Sequence, residues 1–122
     1  MAKKCEFHDR QSCAVCSTEK VYGQYLYKSK KRNLTFSLTL QEFETLVNSR
    51  CHYCGDPALG IDRVDNRTGY NSRNCVPACV ECNFMKRVML EHRFINRALK
   101  IAAHQEKLRM QKAAEVLVQA AA

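Results

Sequence analysis

The chain carries eight cysteines, and four of them are spaced for metal chemistry. Cys51 and Cys54 form one C-x2-C pair and Cys79 and Cys82 form another, separated by a span slightly longer than that of a usual zinc ribbon. Two such knuckles offer four soft thiolates, which suit a tetrahedral zinc ion, with Gly55 easing the turn after the first pair. A closed four-thiolate site leaves no open position for water, so this zinc should hold the fold and do no chemistry. The alternative is a set of buried or reactive free thiols. Cys5, His8, Cys13 and Cys16 give a second possible ligand set with the spacing C-x2-H-x4-C-x2-C, against the alternative of surface thiols on a loose terminus. Cys75 belongs to neither set and is expected to pack as a small apolar residue.

Around these ligands the pattern is α+β. Val21, Tyr22, Tyr25 and Leu26 recur at helical spacing between Thr18 and Arg32. Thr39-Leu40-Gln41-Glu42 has the form of a capping box and opens a short helix from about residue 40 to 49 that should deliver Cys51. Between the knuckles, 59–64 alternates as a strand, 65–69 reads as a turn-rich loop, and a second strand should approach 74–76, so the two make a hairpin. From Cys79 onward the residues favour helix, and 90–110 repeats Phe94, Ala98, Ile101 and Leu108 on one face. The Ala-rich end, 113–122, either extends that helix or frays.

A hairpin followed by a helix, with a cysteine clamp at its two ends, resembles the zinc-containing branch of the HNH endonucleases, of the ββα-metal fold. The matching elements are C-H-Y-C-G at 51–55, G-I-D-R-V-D-N at 60–66, G-Y at 69–70, N-C-V-P at 74–77 and C-x2-C-N-x2-K from Cys79 to Lys86. The likeness is to phage, bacterial and some plant-type members. The division it implies is an N-terminal zinc-binding and helical extension over 1–50, an HNH core over 51–90 and a C-terminal helix over 91–122, in one compact domain.

Carried over residue by residue, the resemblance makes Asp62 and Asn83 ligands of a catalytic magnesium or manganese ion. Their hard oxygen donors suit such an ion, which keeps positions open for water and phosphate. Asn74 matches the middle Asn of the motif, which in the family fixes the loop and the general base. The departure is Arg63, which stands where typical members place the His that deprotonates water. An arginine has no acceptor atom, so it cannot be that base. The resemblance therefore leaves Arg63 as a clamp on a phosphate oxygen, or as the partner of Asp65 or another acid. His52, His92 and His104 are expected to be structural or surface residues, and Tyr70 is a poor base unless strongly activated. The base is left unassigned.

Lys and Arg total 20 against 12 Asp and Glu, a formal net charge of +8, which points to a polyanionic partner. Lys28, Lys30, Lys31 and Arg32 form one basic cluster with no acid between positions 20 and 38, and Lys86 and Arg87 open a second. These are candidate phosphate contacts on DNA or RNA. At 122 residues the chain has room for one hydrophobic core. No run of about 18 apolar residues is present to span a bilayer, and Met1 to Glu6 is polar where a secretory segment would turn apolar, so an intracellular, cytoplasmic protein without membrane attachment is expected. The activity implied is hydrolysis of DNA phosphodiester bonds. The alternatives are a nucleic-acid-binding protein of the same fold that cuts weakly or not at all, and a zinc-stabilised protein-interaction module.

Overall fold

Helix α1, Ala14–Lys31, presents Val21, Tyr22 and Tyr25 to the interior at the spacing expected of an amphipathic helix. The structure, a computed structural model, describes residues 14–121. The chain divides into two compact units, Met1–Val88 and Met89–Ala122.

In the first unit α1 is followed by α2, Leu40–Val47, and the capping box at its start is complete. Thr39 accepts from the Glu42 backbone N–H at 3.1 Å, and the Glu42 carboxylate accepts in return from the Thr39 N–H at 3.2 Å. The reciprocal pair satisfies donors that the first turn cannot pair internally, and fixes where the helix begins. Strands β1, Gly60–Arg63, and β2, Cys75–Ala78, form the expected antiparallel hairpin, in which Asp62 faces Val76 and Arg63 faces Cys75 across the ladder. Helix α3, Val80–Lys86, follows directly, and the Cys79 sulfur caps it by accepting from the Cys82 N–H at 3.4 Å.

Leu38, Phe43, Val47, Ile61 and Cys75 make the buried core. Cys75 therefore packs as expected, and burial pushes its thiol up to about 11. Aromatic rings join α1 to the hairpin: Tyr25 packs on Phe43 and on Tyr70, and Tyr22 on Phe36 and Phe43. The Tyr25 hydroxyl donates to the Ile61 carbonyl at 3.3 Å and accepts from the Ile61 N–H at 3.2 Å, pinning α1 to β1 one residue before Asp62. An isolated parallel bridge joins Phe36 to Tyr70, and Gly69 is required beside it, because a side chain there would strike the Thr35 carbonyl oxygen.

The second unit is helix α4, Glu91–Ala121, which runs through the Ala-rich segment without a break. Phe94 is buried, and from Leu99 onward every described residue is exposed. No helix among the described residues is long and apolar enough to cross a membrane.

Candidate metal centre and catalytic cleft

Cys51 and Cys54 sit on the turn that follows α2, and Cys79 and Cys82 on the start of α3, so the two ends of the hairpin meet at one point. Their four sulfur atoms lie within 4.8 Å of one another, and Cys54 and Cys79 are 3.7 Å apart. A tetrahedral ion with metal–sulfur bonds of about 2.3 Å would space its sulfurs by roughly 3.8 Å. Gly55 makes the first knuckle possible: it turns at φ +83°, and its N–H closes on the Cys51 carbonyl at 2.9 Å. Burial raises the Cys51 thiol, but the backbone N–H groups of Cys79, Cys54 and Tyr53 outweigh it and bring it down to about 6. Cys82 moves upward, through burial and then the neighbouring thiols of Cys79, Cys54 and Cys51. Four thiolates cannot share this space without a cation, and together they can hold one metal ion.

A separate cleft of about 260 Å³ opens beside β1, and Asp62, Arg63, Tyr70, Asn83, Arg87 and Arg32 are among its walls. Asp62 is 4% exposed. Its Oδ2 accepts from the Tyr53 hydroxyl at 2.6 Å and from the Lys86 ammonium at 3.0 Å, while Oδ1 accepts no hydrogen bond from any described residue. Asn83, on α3, donates from Nδ2 to the Ile61 carbonyl at 3.1 Å, which fixes the amide and leaves its oxygen without a donor among the described residues. Two hard oxygens from two elements thus belong to the wall of one cleft, a donor set that fits a magnesium-class ion.

No family model matches the chain. A protein of Acanthamoeba polyphaga mimivirus, itself uncharacterized, is 42% identical over 85 residues, which is 66% of this chain and 16% of that protein. Among solved structures, the rare-cutting HNH restriction endonuclease PacI superposes with a TM-score of 0.59 over 88% of this chain and 91% of that one, at 20% identity. The chain has the HNH endonuclease fold. The small α+β architecture expected from the sequence is thereby shown, hairpin, helix and cysteine cluster included.

Within the HNH fold, the residues carried over from the resemblance fall at distinct places. Asp62, Arg63 and Asn83 come together at the cleft. Asn74 lies behind it and holds the loop between the strands: its Oδ1 accepts from the Asp65 N–H at 2.9 Å, and its Nδ2 donates to the carbonyls of Asp65, Thr68 and Gly69 at 2.9, 3.2 and 3.0 Å. Arg63 is buried and donates from one nitrogen to the carbonyls of Asn66 and Thr68 at 2.8 and 2.9 Å, with its guanidinium 5.2 Å from the Tyr70 ring centre. Its expected alternative partner, Asp65, is instead hydrogen-bonded by Arg67, whose hydrogen bonds and charge, with a smaller contribution from the charge of Arg63, keep the half-buried carboxylate below its usual range.

Lys28, Lys30, Lys31 and Arg32 lie exposed at the end of α1, and Arg32 reaches the cleft wall. Arg87 is exposed on the same wall, against Phe84, with a backbone φ of +50° at the end of α3. Lys86 is a correction. Expected among the phosphate contacts, it has no exposed surface and is the partner of Asp62, because it lies on the face of α3 that packs against β1, where its ammonium meets Asp62 and the Arg63 carbonyl. Tyr53 was not singled out by the sequence, although it lies inside the C-H-Y-C-G element. Cys5, His8, Cys13 and the side chain of Cys16, the second possible ligand set, lie outside the described residues.

Proposed function

We propose that this chain is a metal-dependent endonuclease that hydrolyses DNA phosphodiester bonds at the cleft beside β1. The observation that carries this reading is the pairing of Asp62 and Asn83, each contributing an oxygen that no described donor claims to a cleft whose wall also holds Arg32 and Arg87. A magnesium or manganese ion held by these two oxygens would supply a Lewis acid for the charge that develops as a phosphodiester bond breaks. Arg32 and Arg87 supply positive charge at the cleft wall for phosphate oxygens, and Arg63 keeps the loop floor in place. Asn74 holds the same loop from beneath. Lys28, Lys30 and Lys31 extend the positive surface along α1 and neutralise further phosphates, so affinity falls steeply with salt. The four cysteines at the hairpin ends hold zinc as a staple, outside the chemistry. That the structural neighbour is a restriction endonuclease supports DNA as the partner.

Arg63 supports a second reading, in which the protein holds nucleic acid and does not cut it. The residue occupies the family's general-base position and is committed to loop carbonyls. The loss of a general base commonly lowers a rate by about 10²- to 10⁴-fold.

Nicking of supercoiled plasmid with magnesium or manganese distinguishes the two. Wild type is expected to nick, and Asp62→Asn, which keeps an oxygen for Lys86 and Tyr53, and Asn83→Ala each to lower the rate by at least about a hundredfold in protein whose metal content and circular dichroism show it folded. Full nicking by either variant defeats the assigned ligands. A wild type that binds DNA and stays silent with both ions establishes the second reading.

A further inference from the structure

Lys86 has no solvent-exposed surface, and a buried ammonium must be matched by a negative charge. It finds that charge on Asp62, with Nζ 3.0 Å from Oδ2, and it donates also to the Arg63 carbonyl at 3.2 Å. The Tyr53 hydroxyl donates to the same Oδ2 at 2.6 Å. One oxygen of the carboxylate is therefore saturated and the charge of the group is already answered within the protein. A divalent ion approaching Oδ1 meets a carboxylate whose charge is cancelled, with a fixed positive charge behind it. The rest of the cleft adds to this. Asp62 is the acid among its lining residues, Asn83 is neutral, and Arg32, Arg63 and Arg87 are cations. The charge of the lining side chains thus favours a phosphate over a free metal ion, although the Asp62 and Asn83 oxygens suit the ion as donors.

We propose that Lys86 makes the cation site substrate-dependent: its buried ammonium weakens divalent-ion binding to the free protein, and the ion is held firmly only once a nucleic-acid phosphate supplies the missing negative charge. This rests on the assignment of Asp62 and Asn83 as ion ligands. Lys86 is a positioning residue, since it acts through Asp62 and reaches neither substrate nor ion. Its position at the end of α3 also ties the helix that carries Asn83 to the strand that carries Asp62, so the two ligands stay in register. Because binding free energies are linked, the factor by which substrate tightens the ion is the factor by which the ion tightens substrate.

The test measures manganese binding to the intact, metal-replete protein by the electron paramagnetic resonance signal of the free ion, with no nucleic acid present. Lys86→Met keeps the apolar stem and removes the charge, and is expected to tighten manganese binding by at least about tenfold. Adding Asp62→Asn to it should abolish that gain. A folded Lys86→Met protein that binds manganese no better than wild type overturns the proposal. Where Lys86→Met does not fold, wild type decides: manganese is titrated alone and with a short phosphorothioate duplex that resists hydrolysis, with Asp62→Asn correcting for ions held by the duplex. Tightening of at least about tenfold is expected, and equal affinity overturns the proposal. Failure of the underlying assignment looks different. If Asp62→Asn alone binds manganese as wild type does, the ligand assignment falls; if it loses binding while Lys86→Met changes nothing, only the role of Lys86 falls.

Discussion

Arg63 and Asn74 share a task that neither residue type announces. Arg63 donates to the carbonyls of Asn66 and Thr68 while Asn74 donates to those of Asp65, Thr68 and Gly69, so the Thr68 carbonyl is held from both sides. The loop between the strands is thereby fixed by side chains in place of a regular ladder. A guanidinium bonded to two carbonyls forms charge-assisted hydrogen bonds, stronger than neutral ones. Arg63→Ala should therefore destabilise the protein by about 2–4 kcal/mol, because it strands the Asn66 carbonyl, removes one of the two donors to the Thr68 carbonyl and leaves a void beside Tyr70. Urea unfolding measures this, and Arg63→Ala combined with Asn74→Ala should cost more than the two single losses added, since each single variant leaves the Thr68 carbonyl one donor and the double leaves it neither. A change below about 0.5 kcal/mol in Arg63→Ala would show that its side chain serves the cleft and not the loop. Sequence could mark Arg63 as a departure from a motif and could not find its partners, because carbonyl oxygens carry no residue signature. The same reason hid Lys86: lysine is ordinarily a surface residue, and only the fold brings its ammonium to Asp62.

At the scale of elements most of the fold was legible, because capping boxes, strand alternation and cysteine spacing are local signals. Thr39 and Glu42 start α2 where the motif places it, and the two C-x2-C pairs bracket the hairpin. The tyrosine contacts that hang α1 on β1 were not legible, since Tyr22 and Tyr25 read only as the apolar face of a helix while their hydroxyls go to Leu38 and Ile61. These elements are short. Strands of four residues and a seven-residue α3 cannot persist on their own, so the cysteine clamp at both hairpin ends has to supply what the small core does not. Cys82→Ser should accordingly yield protein that is metal-depleted and either insoluble or lacking tertiary structure. Metal analysis alongside near-ultraviolet circular dichroism checks it. A well-folded Cys82→Ser protein without bound metal would mean that the core alone suffices.

Across the whole molecule, the residues that line the cleft and the cysteine cluster all belong to the unit Met1–Val88, while the unit Met89–Ala122 contributes a long helix whose last 23 described residues, 99–121, are exposed. Exposed on every side, that stretch adds helix propensity and an exposed Arg109–Glu106 pair, neither of which contributes more than about 0.5 kcal/mol. What it does carry is charge: Lys100, Lys107, Arg109 and Lys112 stand against Glu106 and Glu115. Truncation after Ala98 should therefore leave unfolding and plasmid nicking close to wild type. DNA binding is where the difference should lie. Each phosphate neutralised adds about 0.9 to the slope of log affinity against log salt, so losing these cations should flatten that slope by about 2 to 3. Charge removal at Lys30, Lys31 and Arg32 should flatten it independently, and there nicking should fall as well, because Arg32 reaches the cleft wall. An unchanged salt slope in the truncated protein would place the phosphate contacts before residue 99 and leave the rest of α4 as a solvated helix.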